Sequence, residues 1–380
     1  VEAEAILQRF KEWVDKRHEY AKAWKERTGG KVVGYFCTYV PEEILYAAGV
    51  LPVRVLGSHE PPTMTEPYIF AMYCPFCRDC LQQGLKGRFN YLDGIVEGQS
   101  CLHLRQAFMA WRLYIPTEYA YWIYVPHGVQ TPRAIPYLAK EYAKFKESLE
   151  KWLGKRITNE DLDRGIRILN RNRQLLRKVY EYRKLDRPKI TGLEAMEIAL
   201  SSQMTDKEEH SQLLEKLLEA LPNREMDRDP GVRLMIIGSE DDDREFISNV
   251  ESLGATFVIE EHCTGTRYFW NDVVPQEDRL MAIAERYVKR VPCPSKDWPE
   301  LTRIKHAVNL AKEYKAQGAI VMQMKFCDPH GIEIPPLRES LEEAGVKTYP
   351  LEFDVTVPWG QFRTRVEAFM ETLTGLEELF

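Results

Sequence analysis

The chain has 380 residues, 44% of them hydrophobic and 29% charged, and carries a formal net charge of −6. That length suggests two or three domains with a sizeable core. The acidic balance argues against a nucleic-acid groove, and no apolar run approaches the roughly 20 residues that cross a bilayer.

The first stretch, VEAEAILQRFKEWVDKRHEYAKAWKERTGG, lacks the apolar core of a signal peptide. It reads as an amphipathic helix over residues 1–30, closed by Gly29-Gly30. Residues 31–135 then alternate strand and helix patterns. KVVGYFC is strand-like, PEEILYAAG helical with Pro41 in its first turn, and LPVRVLG strand-like. LDGIVEGQSC and AYWIYVPHG are further strands around the helical LHLRQAFMAW. Residues 136–226 change character: AIPYLAKEYAKFKESLEKWLGK, NEDLDRGIRILNRNRQLLRKVYEYRK and LEAMEIALSSQ are all amphipathic and helical. Alternation returns over 227–380, with VRLMIIG, ATFVIEE, AIVMQMKFC and VKTYPLEFD as strands and DREFISNVESLG and PPLRESLEEAG as helices. Such alternation implies parallel sheets. The expected fold class is α/β: two Rossmann-like lobes, an N-terminal helix, and a helical segment between the lobes. A cytoplasmic location is expected, with reduced cysteines.

The chain holds eight cysteines. Cys37, Cys101, Cys263 and Cys327 each fall at or just beyond the carboxyl end of a predicted strand. Cys74 precedes a predicted helix with Pro75 at its first turn. Ligands of open α/β sheets bind outside those strand ends, and helix N-termini there favour thiolates and anionic clusters. Five cysteines are therefore expected to face one cleft between the lobes. The bland alternative is a set of buried cysteines acting as small hydrophobes.

Residues 74–80 read CPFCRDC, a C-x-x-C-x-x-C spacing. The ferredoxin run would continue C-x-x-x-C-P, but Leu81-Gln82-Gln83-Gly84 follows instead. A zinc site needs a second C-x-x-C or a His pair, and none is evident. A redox pair of Cys74 and Cys77 lacks the usual small domain. Cys80 reads as structural, and Cys293, in the loop VPCPS, receives no role. An iron–sulfur cluster on distant cysteines fits best, because three thiolates leave one iron open to a substrate. The chain has no G-x-x-x-x-G-K-[ST], no G-x-G-x-x-G and no G-x-S-x-G, and the acidic turn GSEDDD would repel a phosphate. No nucleotide is expected on this chain, so a low-potential electron has to come from elsewhere.

GYFCTYVPEEILYAAGVLPVRVLG, YCPFCRDCLQQGLKGRFNYLDGIVEGQSCLHLR, EEHCTGTRYF and KFCDPHG, taken in order, resemble the 2-hydroxyacyl-CoA dehydratase and benzoyl-CoA reductase family. The resemblance spans about residues 30–375. The length and the segment YVPHGVQTPRAIPYLAKEYAKFKESLEKWLG are most similar to the smaller cluster-binding subunit, the gamma or C type, of ATP-dependent benzoyl-CoA reductase. The resemblance implies a [4Fe–4S] cluster on Cys74, Cys101 and Cys327. Some relatives carry a double-cubane cluster, which would bring in Cys37, Cys263 and Cys77 as further ligands. It also implies acyl-CoA as substrate, with a homologous cluster-binding subunit and an ATP-hydrolysing iron–sulfur activator as partners. The implied mechanism injects single electrons into the thioester, giving a ketyl-type radical anion.

Four readings follow. They are a benzoyl-CoA reductase subunit, a 2-hydroxyacyl-CoA dehydratase subunit, a stand-alone double-cubane reductase of small molecules, and a structural zinc or thiol protein. Catalytic residues are not assigned. His59, His103 and His330 lie near the motifs, although such histidines are more often hydrogen-bonded structure than acids. Arg105, Arg267 and Lys325 are candidates for pairing with CoA phosphates.

Overall fold

The computed structural model describes residues 2–375. Residue 1 of the N-terminal segment and residues 376–380 of the second lobe lie outside the described residues. The N-terminal segment is two helices rather than one: α1 (Glu2–Asp15) and α2 (Arg17–Thr28). Lys16 leaves the helical conformation between them, and Gly29 closes α2 in the left-handed region at φ 66°. α1 buries Ile6, Leu7, Phe10 and Trp13 against apolar residues of the central helices.

The first lobe comprises β1 (Val32–Tyr35), α3 (Glu42–Ala47), β2 (Leu51–Arg54), α4 (Pro75–Leu85), β3 (Gly94–Gly98), α5 (Leu102–Tyr114) and β4 (Tyr119–Ile123). Pro41 sits one residue earlier than expected, at the N-cap of α3. Four helices follow: α6 (Ala134–Leu153), α7 (Asn159–Glu181), α8 (Gly192–Ser202) and α9 (Lys207–Ala220). α7 and α8 start sharply because Thr158 and Thr191 each close a capping box with the acidic residue three positions on. The second lobe runs β5 (Val232–Gly238), α10 (Arg244–Ser252), β6 (Ala255–Glu261), α11 (Thr266–Phe269), α12 (Arg279–Lys289), α13 (Thr302–Glu313), β7 (Gly318–Met324), α14 (Asp328–Glu343), β8 (Lys347–Phe353) and α15 (Trp359–Thr374). α14 starts seven residues before its expected start at Pro335, at Asp328, so both Pro335 and Pro336 lie inside it.

Each lobe holds a four-stranded, wholly parallel sheet, in orders β2-β1-β3-β4 and β6-β5-β7-β8. The α/β expectation with two parallel sheets is met. The inner strands β5 and β7 are near-continuous apolar runs because strands covered by helices on both faces have no polar side, whereas the edge strand β8 keeps exposed positions. The order reverses between β1 and β3, and between β5 and β7. Those switch points are where a doubly wound sheet leaves a crevice at its carboxyl edge.

Two adjacent carboxylates at the start of α3 join the lobes. Glu42 accepts from Tyr268 Oη at 2.5 Å and pairs with Lys207 at 3.3 Å. Glu43 pairs with Arg173 at 2.7 Å and accepts from Tyr287 Oη at 2.9 Å. All four partners lie outside the first lobe, and both carboxylates are buried. Burial opposes charge on Glu43, but Arg173 and Arg286 hold it below the usual carboxylate range. α7 reaches this site because Gly165 lacks a side chain: a Cβ there would stand 2.2 Å from the Glu43 carbonyl oxygen.

Removing one partner of a buried pair strands the other charge. Glu43→Ala should therefore destabilise the chain by about 3–5 kcal/mol. Glu367→Ala, which removes the exposed helix-face pair with Arg363, should cost about 0.5 kcal/mol or less. Chemical denaturation of the two variants side by side checks the contrast; equal losses would contradict it.

Candidate functional site

A cavity of about 500 Å³ opens between the carboxyl ends of the two sheets. Seven of the eight cysteines line it: Cys37, Cys74, Cys77, Cys101, Cys263, Cys293 and Cys327. None is in a disulfide. Cys80 turns away, with its Sγ 3.4 Å from the Val55 carbonyl. Cys37 and Cys263 lie two residues beyond β1 and β6, and Cys101 and Cys327 three beyond β3 and β7.

Cys74, Cys101 and Cys327 share one position: each is the N-cap of a helix, of α4, α5 and α14 respectively. The first-turn amides of Phe76, Leu104 and His330 lie against the three sulfurs, which line the cavity. The positive ends of three helix dipoles thus meet at one place, a pull toward thiolates that burial of the sulfurs opposes. Pro75 and Pro329 in the first turns of α4 and α14 suit these starts. Phe326, at φ 60°, makes the turn that delivers Cys327.

The thiols are packed tightly. A hydrogen bond donated to Cys74, together with burial, pushes the Cys327 thiol well above its ordinary value. Burial above all lifts the Cys37 and Cys77 thiols to about 12, and it raises Cys101 as well. Among the described residues, no three Cys, His, Asp or Glu side chains are placed to hold a single ion. A cluster is a different case, because each of its thiolates binds a different iron. Sulfur predominates among the donors, with seven cysteines beside His103, His127, His330, Glu240 and Asp328, and cysteine thiolates are what hold iron–sulfur clusters. The remaining wall is mostly apolar, with Phe76, Leu102, Leu104, Trp298, Met324 and Ile332 prominent.

Three features of the cavity were not expected from the sequence. Cys293 lines it, held by a hydrogen bond from its amide to Tyr39 Oη at 3.1 Å. Flanking Pro292 and Pro294 in the sequence were the signal of a rigid loop. Arg54, at the end of β2, is buried and lies 3.3 Å from Cys263 Sγ through Nη2. It also donates to Gln203 Oε1 at 2.6 Å and to the Cys263 and Phe36 carbonyls. Glu240, in the acidic turn, faces the cavity with Oε1 unpartnered, and burial holds its carboxyl well above the usual range.

The candidate basic and histidine residues divide. His103 and His330 line the cavity. His103 Nδ1 accepts the Cys74 amide at 3.1 Å. Arg267 reaches the cavity but is buried and occupied by Glu261 at 2.8 Å, so it is not a free phosphate ligand. Arg105 lies exposed on α5 and is not among the lining residues, and Lys325 faces Asp354 at 3.9 Å. His59 lies away from the cavity: its Nε2 meets Asp242 at 2.7 Å and its Nδ1 the Val355 carbonyl at 2.9 Å.

Two doubly wound lobes closing on a cysteine-lined cavity define an α/β protein whose site is built from thiols. The chain belongs to the family described as 2-hydroxyglutaryl-CoA dehydratase, D-component, whose model matches residues 37–373. It is 28% identical over 366 residues to the (R)-phenyllactyl-CoA dehydratase beta subunit of Clostridium sporogenes, covering 96% of this chain and 97% of that one. It is 27% identical to the C-type subunit of benzoyl-CoA reductase from Thauera aromatica, covering 85% and 86%. The (R)-2-hydroxyglutaryl-CoA dehydratase beta subunit of Acidaminococcus fermentans is 26% identical, over 91% and 93%. These relatives are enzyme subunits. The chain therefore belongs to a family whose members include dehydratase and benzoyl-CoA reductase subunits. No described helix is long and apolar enough to cross a membrane.

The His59–Asp242 contact gives a pH dependence with a definite sign. Burial disfavours charge on the ring, but Asp242 outweighs it and raises His59 to about 11. Below about pH 6.5 the ring is charged folded and unfolded, and its stabilisation is fully present. Above that, the folded chain holds a proton the unfolded chain lacks, and the stabilisation fades toward pH 11. The stability difference between wild type and His59→Gln should shrink steadily from about pH 6 to about pH 9. A difference that grew over this range would contradict the ion pair.

Proposed function

We propose that this chain is the iron–sulfur subunit of an ATP-dependent reductase of the benzoyl-CoA type, acting on an aromatic acyl-CoA thioester. The observation that carries the reading is the meeting of three N-cap cysteines in one sulfur-lined cavity. Cys74, Cys101 and Cys327 would hold a [4Fe–4S] cluster; Cys37, Cys263 and Cys77 would join them in a double cubane. Such a group, when bound, supplies single electrons at low potential to the thioester.

The chain's own residues do the rest. The three helix N-termini offset the negative charge of the thiolates. The apolar wall excludes water, which strengthens every charge interaction inside. Trp298 and Ile332, both strongly exposed at the cavity rim, offer an apolar surface to the acyl group. A homologous cluster-binding subunit and an ATP-hydrolysing activator complete the proposed enzyme, and the subunit names of the relatives support the first of these. The absence of a P-loop agrees with an activator on a separate chain.

A second reading, dehydration of a (R)-2-hydroxyacyl-CoA, is favoured by the fuller match to the phenyllactyl-CoA dehydratase subunit. Anaerobic turnover with activator and partner separates the two. Reduction of benzoyl-CoA at the expense of ATP supports the reductase; turnover of phenyllactyl-CoA alone overturns it in favour of the dehydratase. In either assay Cys101→Ser should lower activity at least as much as the roughly 10–100-fold that outer partners of a metal ligand cost. Cys80→Ser should leave activity near wild type. Equal activity of Cys101→Ser and wild type would remove the cluster from this cavity.

A further inference from the structure

His330 stands in the first turn of α14, three residues after Cys327, and is buried. Its two ring nitrogens have different neighbours. Nδ1 lies 3.2 Å from Cys327 Sγ. Nε2 lies 3.4 Å from Arg267 Nη1.

Arg267 is firmly held. Its Nε and Nη2 donate to the two oxygens of Glu261 at 2.8 and 3.1 Å. Arg303 binds the same carboxylate at 2.7 Å and also pairs with Glu333. Arg267 Nη2 further donates at 3.2 Å to the Gly238 carbonyl, an acceptor that the His330 ring also faces.

The ring thus faces a donor in Arg267 and an acceptor in the Gly238 carbonyl, and the Arg267 contact is the one that meets hydrogen-bond geometry at Nε2. A guanidinium has only donors, so His330 Nε2 must offer its lone pair to Arg267. The neutral ring then carries its one proton on Nδ1, and that N–H points at Cys327 Sγ.

We propose that His330 is a positioning residue that donates an Nδ1–H···S hydrogen bond to the Cys327 thiolate and thereby raises the reduction potential of the cluster held there. The inference rests on the iron–sulfur reading above. A donor on a ligand sulfur stabilises the more negative, reduced state, so the potential rises. Arg267 contributes by fixing the tautomer and polarising the ring from behind, anchored through Glu261. The redox device thus extends from the cavity wall into the core of the second lobe.

The test compares the anaerobically purified wild-type chain with His330→Leu and His330→Asn, after iron has been counted in each. The Asn amide can place an N–H where Nδ1–H stands; Leu cannot. With full iron, His330→Leu should have a lower midpoint potential than wild type, and His330→Asn a potential near wild type. Pulsed EPR of the reduced cluster in chain carrying histidine ¹⁵N-labelled in the ring only should show a histidine nitrogen coupling that disappears in both variants. An unchanged potential in His330→Leu at full iron, or no histidine coupling in wild type, would overturn the inference alone. If His330→Leu holds no iron, the coupling and the wild-type-like potential of His330→Asn decide. A wild-type chain without iron would fail the cluster reading itself and this inference with it.

Discussion

The pair of buried carboxylates at Glu42 and Glu43 is the constraint on which the cavity depends. Two neighbouring negative charges in a protein interior are sustained only by partners that are equally fixed. Here the partners come from α7, α9, α11 and α12, so satisfying the charges forces the lobes and the central helices together. The loop carrying Cys37 lies just before this anchor, and the loop carrying Cys263 just before Tyr268. Arg290 adds a further tie by donating to the Thr38 and Arg267 carbonyls. The cysteines of different lobes therefore reach one cavity through a polar network.

Parallel sheets supply the rest of the arrangement. In a doubly wound lobe, strand ends and the starts of following helices share one edge. Setting two such edges face to face brings Cys101 and Cys327, just beyond β3 and β7, to one place, and the long connection of residues 55–74 between β2 and α4 delivers Cys74. The same geometry gives the site its electrostatic character, because helix N-termini are positive and thiolates negative. Glu240 is the exception, a carboxyl facing the cavity from a turn in which Asp242 meets His59 and Asp243 caps α10.

Much of this was legible in the sequence. VRLMIIG and AIVMQMKF read as strands because burial on both faces leaves no polar alternation to blur them. The five strand-end and helix-start cysteines followed from the same alternation, and the ordered motifs led to the family. Other features were hidden for physical reasons. Cys293 lies in a loop between α12 and α13, where no strand end marks its position. Arg54 sits in an ordinary strand pattern, and nothing local shows that its partners are Gln203 and Cys263. Pro335-Pro336 looked like a helix start. The chain instead tolerates both inside α14, where Pro335 is exposed and the carbonyl freed at Gly331 is on an exposed residue.

The central claim is that the cysteine-lined cavity holds an iron–sulfur group. The most direct measurement is iron and acid-labile sulfide per chain in protein purified without oxygen. The account predicts about four of each for a single cubane, or about eight for a double one. Zinc in place of iron, or no metal and no sulfide, would contradict it and return CPFCRDC to a structural role.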